Sequence, residues 1–437
     1  EIIEIIEIIE IIEIYLHLLI GEKLMRKYVI LMMGIALLCS CAQERSETLE
    51  KNDGEFPIMA WIGVPESETT VERFKELKEA GININFSVYS SVEAVEKALD
   101  VAQQAGVKLM PSCPELSTEP EKTAKRLMDH PALAGYHLRD EPGAADFPML
   151  GEWVRKIQSV DREHPCYINL FPNYAGQEVL IGKNGVLAAG EDPYAKHVEM
   201  FLAEVPVPFI SFDHYPVVEE NGVRMLRSGW YKNLEIIAAA SRRSSLPFWA
   251  FALAIAHTPY PIPTVGELRL QMFSNLAYGA QTLQYFTYWH PGDNTPWDFH
   301  DSPINLDGSR TVVYDRIQTV NKEIHALSHV FQGAELVSVW HTGSQLPEGT
   351  RPVDQLPQEI KKLDTGDGGA VVSVLKNQKR YYLVVVNRDF QAPMTLSIET
   401  DKTVKRVMKN GTITPVRGSS EIVEVEPGDV VIYTWGK

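Results

Sequence analysis

Eight short apolar runs, each followed by a longer amphipathic stretch, fill residues 56–331. The runs are FPIMAWIGV, ININFSVYS, VKLMPSC, GYHLRDE, CYINLFP, FISFDHYP, FWAFALAIA and TLQYFTYW. Between them, stretches such as VEAVEKALDVAQQAG and WYKNLEIIAAASRR repeat apolar residues three and four apart, the period of a helix with one buried face. Several close on glycine, as helix C-caps do. A last helical stretch, SRTVVYDRIQTVNKEIHALSHVF, completes the set. Strand–helix alternation implies parallel pairing, because parallel strands need a crossover between them. Eight such units in about 275 residues predict a (β/α)8 TIM barrel over residues 56–333. The rival, a doubly wound open sheet, wants a glycine-rich phosphate turn after its first strand. WIGVPESETT holds none.

From residue 334 the period changes to two, with breaks at Lys-Asn-Gly and Pro-Gly. GGAVVSVLKNQKRYYLVVVNRDFQAPMTLSIE and SSEIVEVEPGDVVIYTWG carry the pattern. This predicts an antiparallel β-sandwich over residues 334–437. The fold class expected is therefore α/β: a barrel followed by a C-terminal β-sandwich domain. No long linker separates the two, so they should pack together.

The N-terminus follows different rules. EIIEIIEIIEIIEI repeats every three residues, so its glutamates drift around a helix and form no single polar face. Residues 1–24 read as a non-native or disordered extension, such as translated upstream sequence. MRKYVILMMGIALLCSC, residues 25–41, has the parts of a secretory signal: Arg26 and Lys27, then a short apolar core. Leu38 to Cys41 resembles a bacterial lipobox, with Cys41 as the lipidated residue. A polar linker, residues 42–55, follows, and the apolar run is too short for a comfortable membrane span. The expectation is a lipid-anchored protein of the bacterial cell envelope, on the periplasmic face or the cell surface. The remaining cysteines, Cys113 and Cys166, lie far apart in apolar contexts and read as buried free thiols.

A net charge of −17 argues against nucleic acid as a partner. In a barrel of this kind, chemistry gathers at the C-terminal strand ends. There the sequence places Trp61, Tyr89, Glu115, Arg139-Asp140-Glu141, Asn169, Asn173, Asp213-His214-Tyr215, His257 and Tyr288-Trp289-His290. Carboxylates transfer protons, amides bind hydroxyls, and flat aromatic rings stack on pyranose faces. Together they suit a carbohydrate. Glu141 reads as the proton donor, and Asp213 as the second carboxylate. Asp140 is either an ion-pair partner of Arg139 or a participant in the site. Trp61, Arg139, Asn169, His214, Tyr215, His257, Tyr288 and Trp289 are the candidate substrate contacts. His137 should share a side with Arg139 and oppose Asp140 by strand alternation, and Glu115 should lie in solvent. Twelve histidines show no His-x-His or His-Glu-x-x-His spacing, so neither metal nor another cofactor is expected.

At these residues the chain resembles the TIM-barrel glycoside hydrolases of clan A, bacterial β-galactosidases with a C-terminal β domain among them. That clan carries its acid/base glutamate after the fourth strand, commonly as Asn-Glu-Pro. Asp140-Glu141-Pro142 matches it, and DHYP and YGAQTLQYFTYW also look like that group. The resemblance implies hydrolysis of glycosidic bonds with Glu141 as general acid. One departure is large. The clan's nucleophile is a glutamate ending the seventh strand, but no acid lies between Glu235 and Glu267. Three readings follow. Asp213 can act as base or nucleophile. Asp140 and Glu141 can act as the pair of an N-acetylhexosaminidase that uses the substrate's acetamido group. Or the chain binds glycans without cleaving them.

Overall fold

The computed structural model describes residues 54–293 and 295–436. The extension, the signal segment with Cys41 and nearly all of the linker lie outside them. Eight parallel strands form one sheet: β1 (Ile58–Trp61), β2 (Ile84–Val88), β3 (Lys108–Ser112), β4 (Tyr136–Asp140), β5 (Cys166–Leu170), β6 (Ile210–Phe212), β9 (Phe248–Leu253) and β10 (Thr282–Phe286). Their order is β3-β2-β1-β10-β9-β6-β5-β4. The two open edges meet just before β4. Leu109 N donates to Ala132 O at 2.8 Å, and Ala134 N donates to Leu109 O at 2.7 Å. That closes the barrel, and each of the eight expected strands is present.

The helices sit where the periodicity places them. Val92–Ala105 is typical: Ser91 caps it by accepting from Ala94 N, and Gly106 ends it in the left-handed region at φ 69°. Val95, Ala98, Leu99 and Ala102 bury one stripe against the barrel. The barrel interior is filled, not hollow. Met59, Trp61, Phe86, Met110, Tyr167, Phe209 and Phe251 form a continuous cluster inside it.

Between β6 and the helix Trp230–Ser244, a hairpin joins β7 (Val217–Glu220) to β8 (Val223–Leu226). The eightfold pattern did not anticipate it. Its turn is Asn221-Gly222, both with positive φ (52° and 77°), the dipeptide and geometry of a two-residue hairpin.

The C-terminal strands make two antiparallel sheets. β11 (Glu335–His341), β13 (Ala370–Asn377), β14 (Arg380–Asn387), β16 (Lys405–Val407), β17 (Ile413–Pro415) and β19 (Val430–Gly436) form the larger. β12 (Ile360–Asp364), β15 (Met394–Thr400) and β18 (Ser420–Val425) form the smaller. Alternate residues of both, including Val372, Leu383, Tyr433, Leu396 and Val423, meet in one core. The larger sheet also buries its other face, with Val371, Val384 and Ile432, against the barrel helices. Asn377 Nδ2 donates to Gln332 O at 2.9 Å, Tyr278 OH and His341 Nε2 lie 2.8 Å apart, and Lys409 Nζ donates to Glu323 Oε2 at 2.8 Å.

This packing is close enough to test. Gly428 has φ 66°, and a methyl there would stand 2.0 Å from Gly266 O. Both the backbone conformation and the contact exclude a side chain. Gly428→Ala is expected to cost about 2 kcal/mol or more, read as a lower melting temperature by calorimetry. An unchanged melting temperature would mean that the helix 265–277 yields to the methyl.

Candidate active site

The site is built from β4, β5 and β6. β4 is not regular. Its register with β5 pairs His137 with Tyr167, then Arg139 with Ile168, then Asp140 with Asn169, so Leu138 is an extra residue in a bulge. The bulge overturns the simple alternation expected. His137 and Asp140 face the barrel axis, while Arg139 faces outward. Glu141 N donates to Asn169 O at 2.8 Å, extending the ladder by one residue. Glu141 itself sits at φ 42°, a conformation a non-glycine residue holds only when its surroundings impose it. The result is that two consecutive acids, Asp140 and Glu141, both reach the mouth.

Asn169 on β5 ties the acids together. Its Nδ2 donates to Asp140 Oδ1 at 3.2 Å and to Asp213 Oδ1 at 3.0 Å. Its Oδ1 accepts from Ser211 Oγ at 2.9 Å, which fixes the amide orientation. Behind it, Gln284 Nε2 donates to Ser211 Oγ at 3.0 Å, and Tyr167 OH donates to Gln284 Oε1 at 2.7 Å. A chain of satisfied hydrogen bonds thus runs up the barrel and ends at the carboxylates.

The Glu141 and Asp213 carboxyls are neighbours, close enough that each alters the other's hold on its proton. Burial, and then the charge of Asp140, push Glu141 up to about 7. Burial, followed by Glu141 and Asp140, drives Asp213 well above the usual carboxylate range. Asp140 is pushed up to about 6: water reaches it, but protein desolvates it on most sides, and the hydrogen bond from Asn169 opposes the shift. Three like charges cannot crowd together, so one proton stays in the cluster near neutral pH. Tyr215 stands half-buried beside it, edge-on to Phe251 at 6.4 Å, its hydroxyl held protonated by burial and the field of Asp213.

Five expected residues therefore converge: Glu141, Asp213, Asp140, Asn169 and Tyr215. Others do not. Trp61 is only 6% exposed, wedged among Phe86, His137, Tyr167 and Phe251, so its faces are already covered. Trp289 lies beneath the Arg73 guanidinium, 5.1 Å away, and Tyr288 is fully buried toward Tyr314 on the helix side. Neither ring faces the mouth. Arg139 points outward to Asp146 at 3.9 Å, so it is neither the partner of Asp140 nor a contact in the mouth. His257 is caged by Tyr260, Phe286, Trp297 and Phe299, and burial pushes it down to about 4. His214 turns away from Asp213, with Nδ1 3.2 Å from Asn233 Oδ1. His290 is occupied by its own loop, Nε2 lying 3.0 Å from Phe299 O. Glu115, expected in solvent, is half-buried near Cys113 and has one oxygen sealed from water without a partner. Cys113 and Cys166 are buried and free.

β9 supplies no acid: its inward Phe251 joins the aromatic core, and Ala254 and Ala256 follow. Among the described residues, no group of three or more His, Cys, Asp or Glu is arranged to hold a metal. Loop residues the strand-end reading missed also border the mouth. Tyr174 follows β5, Tyr260 follows β9, and Trp297 follows β10 with 55% of its surface exposed. Arg227 follows the hairpin. Only the Asn-Gly of the hairpin signalled any of this.

The architecture is that of a (β/α)8 barrel with an appended β-sandwich, and solved glycoside hydrolases share it. A catalytic mutant of a GH42 beta-galactosidase from G. stearothermophilus superposes with a TM-score of 0.57 at 9% identity, covering 88% of this chain and 99% of that one. The beta-galactosidase from Bacillus circulans sp. alkalophilus gives 0.56 at 10% identity, covering 87% and 99%. At such identities the likeness is one of fold. No protein-family model matches the sequence. No curated protein matches it.

Proposed function

We propose that the chain is a glycoside hydrolase whose general acid is Glu141. The observation that carries this reading is the convergence of three carboxyls at the barrel mouth, two of them bound by Asn169, where burial and like charge favour keeping a proton on Glu141. A general acid must be protonated at working pH, and burial with a like-charged neighbour is how a carboxyl achieves it. The β-galactosidases of similar fold support the class without naming the sugar. A glycosidic oxygen entering between the two carboxyls takes the proton from Glu141. Asp213, then ionised, activates water or meets the developing positive charge at the anomeric carbon. Asn169 holds Asp213 and Asp140 in place throughout.

A second reading has its own support. The bulge at Leu138 aims Asp140 and Glu141 into the same space, which substrate assistance by an acetamido group requires: Asp140 to orient it, Glu141 to protonate the leaving oxygen. Reducing-sugar release from a panel of natural oligosaccharides separates the readings. Cleavage across sugars without N-acetyl groups supports Asp213 as partner. Cleavage confined to N-acetylated sugars supports Asp140. Binding without any cleavage rejects the hydrolase and leaves a glycan-binding protein.

Residues 25–41 further support lipid anchoring at Cys41 in the cell envelope. Cys41→Ser is expected to move the protein from the detergent phase to the aqueous phase on detergent partitioning. Unchanged partitioning would reject the anchor.

A further inference from the structure

Beside His214, the residue that follows Asp213, lies a cleft of about 640 Å³, lined by Tyr174, His214, Arg227, Gly229, Lys232 and Glu348 among others. Its groups are arranged for an anion. The Arg227 guanidinium lies 4.6 Å over the Tyr174 ring and 5.4 Å over Tyr260, and it donates to Tyr260 OH at 3.1 Å. It forms no ion pair with a carboxylate among the described residues, and its Nε is shut from water with no acceptor. A stacked guanidinium is fixed in orientation, and its planar fork suits a carboxylate or sulfate.

A second feature points the same way. The helix Trp230–Ser244, of 15 residues, begins at Gly229 with no side-chain cap, so its positive end opens on the cleft. The carboxylates nearby are engaged or turned outward: Lys232 lies 3.0 Å from Glu348 and 3.1 Å from Asp192, and Glu220 is exposed on the hairpin. Tyr174 links the cleft to the acids: it touches His214 edge-on at 5.0 Å and feels the charge of Asp213.

We propose that this cleft is a subsite for the anionic group of an acidic sugar, a uronate carboxylate or a sulfate ester, on the residue adjoining the scissile bond. Its place beside the scissile bond rests on the glycosidase reading; its affinity for anions does not. The test measures binding by calorimetry and cleavage by reducing-sugar release. The ligands are glucuronate-containing oligosaccharides, O-sulfated oligosaccharides and their neutral counterparts. The proteins are the full chain and its Arg227→Ala and Arg227→Lys variants.

The wild type should bind one acidic series more tightly than its neutral counterpart, and whichever series it binds identifies the anion. Arg227→Ala should weaken that binding about ten- to a hundredfold, the value of one charge-assisted contact, and leave neutral ligands unchanged. Arg227→Lys should fall between, because it keeps the charge without the fork. Equal binding of acidic and neutral ligands, or equal weakening of both by Arg227→Ala, would overturn the subsite. If neutral glycans are cleaved without that preference, the hydrolase survives and the subsite fails. If nothing is cleaved but acidic binding depends on Arg227, the subsite survives and the hydrolase fails.

Discussion

Glu141→Gln is expected to lower turnover of a natural oligosaccharide by about 10²–10⁴. The substitution keeps the shape of the side chain and removes its transferable proton. The loss should depend on the leaving group: a sugar alcohol leaves poorly and needs the proton, whereas an activated aryl group leaves with little help. The pH profile provides a second signature. Glu141 works only while protonated, and its carboxyl is pushed up to about 7. Wild-type activity should therefore fall as pH rises past that value, and the residual activity of the variant should lack that basic limb. Wild-type turnover of natural substrates by Glu141→Gln would remove Glu141 from the role and shift attention to Asp140.

The fold was legible because each of its signals is local. A buried parallel strand is a short apolar run, and its following helix is a stripe of period 3.6. Both can be read within a dozen residues, as at Val92–Ala105. The sandwich was legible for the same reason, through period-two runs such as those of β13 and β14. The hairpin at Asn221-Gly222 had a local signal too, but it interrupts the eightfold pattern that organised the reading.

The site was legible in part. Glu141, Asp213, Asp140 and Asn169 were found because strand ends deliver side chains to one face. The bulge at Leu138 was not, because Tyr-His-Leu-Arg-Asp reads equally well as a regular strand; only pairing with β5 shows the extra residue. Trp61, Tyr288 and Trp289 show the opposite problem. An aromatic residue near a strand end looks the same in sequence whether it faces the mouth, fills the barrel or packs behind it. Arg227, Tyr174 and Tyr260 come from three separate loops, and no spacing in the chain announces that they meet.

Asp213→Asn should abolish most activity and yet raise stability in mild alkali. The amide can still accept from Asn169 Nδ2, so the geometry survives while the second carboxylate is lost. The stability effect follows from the direction of the shift. The folded-state pKa of Asp213 is raised well above its ordinary 3.8, so over that interval the native chain holds a proton the unfolded chain releases. The stability this gives is complete below pH 3.8 and is lost as pH rises through the folded value. In mild alkali the wild type has lost stability to its crowded, desolvated carboxyls, and the neutral amide removes part of that cost. A melting temperature about 1–3 °C higher than wild type is expected there, with the difference vanishing near pH 4. A variant that melts lower than wild type at pH 8 would mean that the carboxyl pair stabilises the barrel, and the conflict between stability and chemistry at this site would not exist.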